Sequence, residues 1–318
     1  MLAKGLVPVV IAGIPIAAGT LHDHGWRGFG RLRPGLGVLV LAAVVLPWHV
    51  AVALRHPGFA WDYVVNQHVL AFLDRKLPRD SDGDSLAFFW SVAAARAMPW
   101  SLLVPLTLAE AVRGAGRRAP AAARATFLVW AWGGGLLLFF SCAPSRLEHY
   151  AVPALPAAAL LAARVCQRAL ANQLGRRAWA YLAACGAALT IAGAAGLFVG
   201  PDLLSRTYWL LQAPGLLGLV MSAAAAVAGA GALLALAALG RRPDWLIGTL
   251  ALGMVPLAAI VLRAEMLAEP LFSWRPLAQT LVASTPIDPG ESDPDQIVSG
   301  CPPASATFCT EPTWGYAV

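Results

Sequence analysis

GLLGLVMSAAAAVAGAGALLALAAL, Gly215–Leu239, contains no charged residue and is followed at once by Gly240-Arg241-Arg242. A helix needs about 20 apolar residues to cross the hydrocarbon of a bilayer, and this stretch supplies them. It predicts a transmembrane helix that ends in a basic turn. The same unit, an apolar run and then a short polar link, recurs along the whole chain. Eight segments fit it: Gly5–Leu21, Leu36–Leu54, Leu86–Val112, Thr126–Cys142, Tyr150–Ala163, Ala178–Val199, Gly215–Leu239 and Trp245–Leu262. The expected fold is all-α, a polytopic transmembrane helix bundle of about eight spans. Residues 1–264 form that region, with an outside loop at 55–85. Residues 265–318 form a short extracytoplasmic C-terminal tail.

Composition agrees. Hydrophobic residues make up 58% of the 318 and charged residues 13%, about half the charged share of a soluble domain. The net charge is +6, but the arginines lie in short clusters between apolar runs. A nucleic-acid binder would gather them on one exposed face, so no nucleic-acid partner is expected. The first apolar run follows Lys4 like a signal peptide, yet a strongly basic loop comes next, and a retained helix is the expectation.

The link charges orient the bundle. The first link holds Arg27, Arg31 and Arg33; the third Arg113, Arg117, Arg118 and Arg124; the fifth Arg164, Arg168, Arg176 and Arg177; the seventh Arg241 and Arg242. The fourth and sixth hold one arginine each, Arg146 and Arg206. In the second, Arg55, Arg75, Lys76 and Arg79 are balanced by Asp62, Asp74, Asp80, Asp82 and Asp84. Basic links face the cytoplasm. This predicts a bacterial inner-membrane protein, multi-pass, with both termini outside.

Chemistry is expected in two outside links. RHPGFAWDYVVNQHVLAFLDRKLPRDSDGD, Arg55–Asp84, is too long for a turn, and Trp61–Leu73 has helical spacing. An interfacial helix fits it. His68 on that helix is either part of an exposed polar face or a metal or phosphate contact. Arg75 and Lys76 serve as interface anchors or attract an anionic headgroup. Asp80, Asp82 and Asp84 read as a solvated run, since the glutamate that completes a calcium loop is missing. SCAPSRLEHYAVPALPA, Ser141–Ala157, packs Arg146, Glu148, His149 and Tyr150 between two spans. Charge so close to hydrocarbon marks a functional site. Arg146 is suited to grip a phosphate with Tyr150 donating beside it; the competing reading is an Arg–Glu surface pair with His149 at the interface. Arg96, inside an apolar run, either snorkels to the interface or pairs with a buried acid. His22, Asp23 and His24 read as loop residues, Gly133–Gly135 as close helix packing, and Cys142, Cys166 and Cys185 as buried thiols. Cys301 and Cys309 could form a disulfide in an outside tail. A transporter would show two related halves, and no internal repeat is visible.

These residues resemble the GT-C membrane glycosyltransferases, the class of protein O-mannosyltransferases and bacterial aminoarabinose transferases. Leu2-Ala3-Lys4-Gly5 looks like the start of a middle span in that family. Leu46-Pro47-Trp48 through Arg55-His56-Pro57-Gly58-Phe59 looks like its PW…LRNPGF segment, and Gln67-His68-Val69-Leu70-Ala71-Phe72 like EHxxRF. Phe139-Phe140-Ser141, Ser145-Arg146-Leu147-Glu148-His149-Tyr150 and Pro153-Ala154-Leu155-Pro156 look like its FFS…S(K/R)L…LPALPA signature. A weaker echo is Ser273-Trp274-Arg275-Pro276-Leu277-Ala278.

The resemblance implies transfer of a sugar from a polyprenyl-phosphate carrier to a lipid or protein acceptor outside the membrane. It implies that His68 belongs to a metal or catalytic region, a divalent metal being the one cofactor in question, and that Arg146 and Tyr150 face the carrier phosphate. Two departures count against full activity. Gln67 and Ala71 stand where the family has an acid and an arginine, and the family's catalytic aspartate loop precedes the matched region. The expectation is a truncated glycosyltransferase; the alternatives are a non-catalytic polyprenyl-phosphate-binding or assembly subunit and an inactive gene fragment.

Overall fold

The computed structural model describes residues 7–78, 83–116, 118–144, 146–205, 215–272 and 280. Among them there are helices, turns and loops and no strand. The main helices are α1 (Val7–His24), α2 (Pro34–Arg55), α3 (Leu86–Arg96), α4 (Trp100–Gly114), α5 (Ala121–Ser141), α6 (Leu155–Leu170), α7 (Arg176–Ser205), α8 (Leu216–Leu239) and α9 (Pro243–Phe272).

Among the described residues six helices are long and apolar enough to cross a membrane, so the all-α membrane bundle is as expected. The two remaining segments differ from the sequence reading. The run 86–112 is not one straight rod: α3 and α4 meet at 101°. Pro99 lies at the break, where its ring and missing N–H interrupt the backbone ladder. Val104–Thr107 then tightens into a 3-10 turn within α4, with Pro105 in its first turn. In α1 the apolar stretch is short, and His22, Asp23 and His24 continue the helix instead of forming a loop. At the other end α9 runs on to Phe272, so the helical region passes the expected boundary at Ala264. Cys301, Cys309 and most of the expected tail lie outside the described residues. Cys142 is exposed rather than buried; Cys166 and Cys185 are half-buried.

Two buried clusters hold the bundle. One joins α4, α6, α7, α8 and α9 through Leu103, Val165, Leu182, Leu234 and Leu246. The other joins α3, α5 and the turn before α6 through Phe89, Ala93, Leu136, Phe140 and Ala151, with Ile14 of α1 against it. Close approach depends on small residues, as lipid-embedded helices require. A Cβ on Gly231 would stand 2.6 Å from the Thr190 nitrogen and 2.7 Å from the Gly186 carbonyl oxygen. The expected packing role of Gly133–Gly135 holds at two of its three positions: a Cβ at Gly133 meets Ala157 at 2.8 Å, and one at Gly135 meets Ile14 at 2.6 Å. By contrast, α2 buries none of its residues in this chain.

The charged residues collect at two ends. The odd-link end ties α1, α4, α5 and α6 together. His22 Nε2 donates to the Gly114 carbonyl at 3.0 Å, Asp23 pairs with Arg124, and Glu110 pairs with Arg164 at 2.7 Å. The hydrogen bond from His22 holds the Asp23 carboxyl below its usual range; burial opposes this and Arg124 adds to the lowering. The even-link end is where the candidate site lies.

Gly231→Leu forces backbone apart where helices α7 and α8 touch. It should cost about 1–3 kcal/mol and lower the detergent melting midpoint, whereas Gly218→Leu, with open space at its Cβ, should leave the midpoint within error.

Candidate functional site

Helix α5 ends at Ser141, and the chain passes through Ala143 and Pro144 into a 3-10 turn, Glu148–Ala154, that leads into α6. Two prolines shape it. Pro153 sits inside the turn, and Pro156 occupies the first turn of α6, where a missing N–H costs nothing. The reversal holds Arg146 against the start of α3. Its Nη1 donates to the Asp84 carbonyl at 2.8 Å and its Nη2 to the Ser141 carbonyl at 3.2 Å. The Asp84 N–H donates in return to the Arg146 carbonyl at 2.7 Å. A guanidinium has five N–H donors, and these bonds use two. Arg146 Nε and Asp84 Oδ2 are buried without a hydrogen-bond partner among the described residues. Each such atom costs about 1–3 kcal/mol where no partner meets it.

Around this pair the walls are fixed. Trp90 Nε1 of α3 donates to Ser141 Oγ at 3.0 Å, and that hydroxyl donates to the Leu137 carbonyl at 2.7 Å. Arg96 finds its partner in Glu148 at 3.2 Å, so the surface pair weighed for Arg146 and Glu148 belongs to Arg96 instead. Asp84, two residues before α3, meets Arg146, and Arg96, the last residue of α3, meets Glu148. Tyr150 packs on the second core cluster, its ring centroid 5.0 Å from Phe140 and 4.8 Å from His149. His149 is exposed.

The other expected segment is organised differently. Trp61–Phe72 is helical as expected, but its middle, Asp62–Leu70, winds wide with i→i+5 bonding, an arrangement frequent at functional sites. His68 Nδ1 bonds the Tyr63 carbonyl five residues back. Its ring stands edge-on to Tyr63 at 4.9 Å, and Tyr63 continues to His49 at 4.8 Å and Phe59 at 5.5 Å. Gly58, at φ 89°, supplies the left-handed residue that lets the chain fold back from α2. Asn66 is buried. It donates to Asp62 Oδ1 at 2.7 Å and to the Leu77 carbonyl, and accepts from the Leu77 N–H at 2.9 Å. Arg75 is exposed and Lys76 half-buried on the strap this closes. Phe72 stacks on Phe139 at 6.2 Å, which brings the strap to the same end of α5 as Arg146.

The structure therefore joins Arg146, Tyr150 and His149 in one turn and sets the His68–Lys76 segment beside them. No group of three or more His, Cys, Asp or Glu able to hold an ion occurs among the described residues. Sequence reasoning missed Asp84, taken for part of a solvated run. It also missed Glu110, an acid in an apolar segment that needed two arginines, and Asn66 as a clamp. Glu148 was findable, being the one acid in the link that faces unpaired Arg96.

Over most of its length the architecture has a match among solved structures. The crystal structure of ArnT from Cupriavidus metallidurans bound to undecaprenyl phosphate aligns with 94% of this chain and 49% of its own, at 23% identity and a TM-score of 0.59. The chain has the GT-C membrane fold. Curated proteins agree. The undecaprenyl phosphate-alpha-4-amino-4-deoxy-L-arabinose arabinosyl transferase 1 of Pseudomonas fluorescens is 29% identical over 55% of this chain and 29% of its own length. The protein of the same name from Sodalis glossinidius is 31% identical over 51% of this chain and 28% of its own. The corresponding transferase from Edwardsiella ictaluri is 25% identical over 68% of this chain and 36% of its own. This chain thus matches about a third or less of the length of these relatives. No protein-family model matches it.

Asn66→Ala strands the Leu77 N–H and carbonyl and should cost about 1–3 kcal/mol locally. Hydrogen exchange should show residues 62–78 losing protection while α5 and α6 keep theirs.

Proposed function

We propose that this chain is a membrane glycosyltransferase component that receives a polyprenyl-phosphate-linked sugar at the outer membrane face, for transfer to a lipid or protein acceptor. The observation that carries the reading is Arg146. Its guanidinium is aimed by two backbone carbonyls, and its Nε–H is buried and unmatched among the described residues. A phosphate oxygen is an anionic acceptor that such a group suits. The relatives' names and the undecaprenyl phosphate of the ArnT structure point to the same ligand class.

In this reading Arg146 and Tyr150 meet the carrier phosphate, with His149 at the rim. Arg75 and Lys76 draw the anionic headgroup toward the strap. When the bond from the anomeric carbon to the phosphate oxygen breaks, the negative charge stays on the phosphate. A fixed guanidinium lowers the cost of that charge without reorganising. His68 positions the strap through its bond to the Tyr63 carbonyl. An acceptor needs a base to take its proton, and none of these residues is assigned that role. The chain lies across the inner membrane, and the link charges favour both termini outside.

Arg146→Ala should weaken undecaprenyl-phosphate binding by at least about ten-fold, equivalent to about 1.4 kcal/mol. Arg146→Lys, which keeps the charge but not the fork, should fall between. Titration in detergent with melting controls reads both. Unchanged binding would remove Arg146 from the site; tight binding with no sugar transfer would favour the non-catalytic subunit.

A further inference from the structure

At the end of the bundle opposite Arg146, two openings adjoin. One is a cleft of about 420 Å³ between α4, the start of α5 and the end of α6, lined by Glu110, Arg113, Arg164, Arg168 and Gln173. The other is an apolar groove of about 530 Å³ between α5 and α6, with Ala125 and Val129 on one wall and Leu160 and Leu161 on the other. Ala122 and Arg164 line both. The groove therefore opens into the cleft at a guanidinium.

The charge in the cleft is unbalanced. Glu110 is buried, and its Oε1 accepts from Arg164 Nε at 3.0 Å and Nη2 at 2.7 Å. Arg168 lies 3.6 Å from its Oε2. One carboxylate thus faces two arginines, and Arg113 adds a third, its Nε on the Ala109 carbonyl at 3.2 Å. Glu110 holds the arginines in place without neutralising them. An excess positive charge beside a lipid-facing apolar groove selects an amphiphile with an anionic head. Basic pockets between membrane helices on the cytoplasmic side bind such headgroups, and the basic links assign this end to the cytoplasm.

We propose that this cleft and groove form a site for an anionic phospholipid of the cytoplasmic leaflet. Its phosphate would lie among Arg113, Arg164 and Arg168, and one acyl chain would lie along Ala125, Val129 and Leu160. The site is separate from Arg146 and does not depend on the glycosyltransferase reading. Its occupancy would add α5 to the link that Glu110 already makes between α4 and α6.

The test is native mass spectrometry of the full chain in detergent, titrated with palmitoyl-oleoyl phosphatidylglycerol or phosphatidylcholine. The expected result is a clear preference for phosphatidylglycerol. Arg113→Gln should cut it about 5-fold, and Arg113→Gln with Arg168→Gln on the order of 30-fold, at about 1 kcal/mol per basic residue near a lipid surface. Arg113→Gln alone leaves the Glu110 network intact and keeps the test open should the double variant unfold. Ala125→Phe, filling the groove from an exposed position, should weaken both lipids. Equal binding of the two lipids, an unchanged preference in Arg113→Gln, or displacement by glycerol phosphate at concentrations matching the lipid would overturn the proposal.

Discussion

Arg146 gives two of its N–H donors to the carbonyls of Asp84 and Ser141, and those bonds tie together the start of α3, the end of α5 and the turn into α6. A guanidinium at the edge of hydrocarbon carries a desolvation cost that only acceptors can offset. The same requirement recurs along the chain. Arg96 is met by Glu148, Arg164 and Arg168 by Glu110, and Arg124 by Asp23. Each pairing joins segments distant in sequence. The polar contacts therefore fix how the helix ends register, while small residues set how closely the helices approach.

The positions of α2, α5, α7 and α8 were legible because each carries an uninterrupted apolar run, and hydrophobicity is a local property. The separation of charge into two ends was legible as well, since alternating basic links encode it directly. Direction was not. A hydropathy window over 86–112 averages across Pro99 and cannot show a 101° turn. The wide winding at Asp62–Leu70 depends on the Tyr63 carbonyl meeting His68 and on Asn66 meeting Leu77, which helical spacing does not reveal. Asp84 looked like one of three solvated acids, and its role appears only once Arg146, 62 residues away, is beside it. The extension of α9 past Ala264 was hidden because Glu265 and Glu269 suggested a polar tail, although a helix may carry its charged residues beyond the hydrocarbon.

At the candidate site the residue types were legible and their partners were not. Arg146 and Tyr150 stand together in the turn after α5. His68 stands near the same end, but its ring is engaged by Tyr63 within an aromatic group that includes His49 and Phe59. The chain shares its fold with ArnT, and in the proposed reading the aimed guanidinium of Arg146 meets a lipid-linked phosphate. The cleft at Glu110 is a second, opposite solution to placing arginines beside lipid.

The division of the molecule into an outer site and an inner basic face is tested most directly by thiol labelling in intact cells. In a background with the five native cysteines replaced, His149→Cys should react with a membrane-impermeant maleimide added outside. Gln173→Cys, in the link after α6, should react only after the membrane is opened. Labelling of both from the same side, or the reverse pattern, would contradict the account.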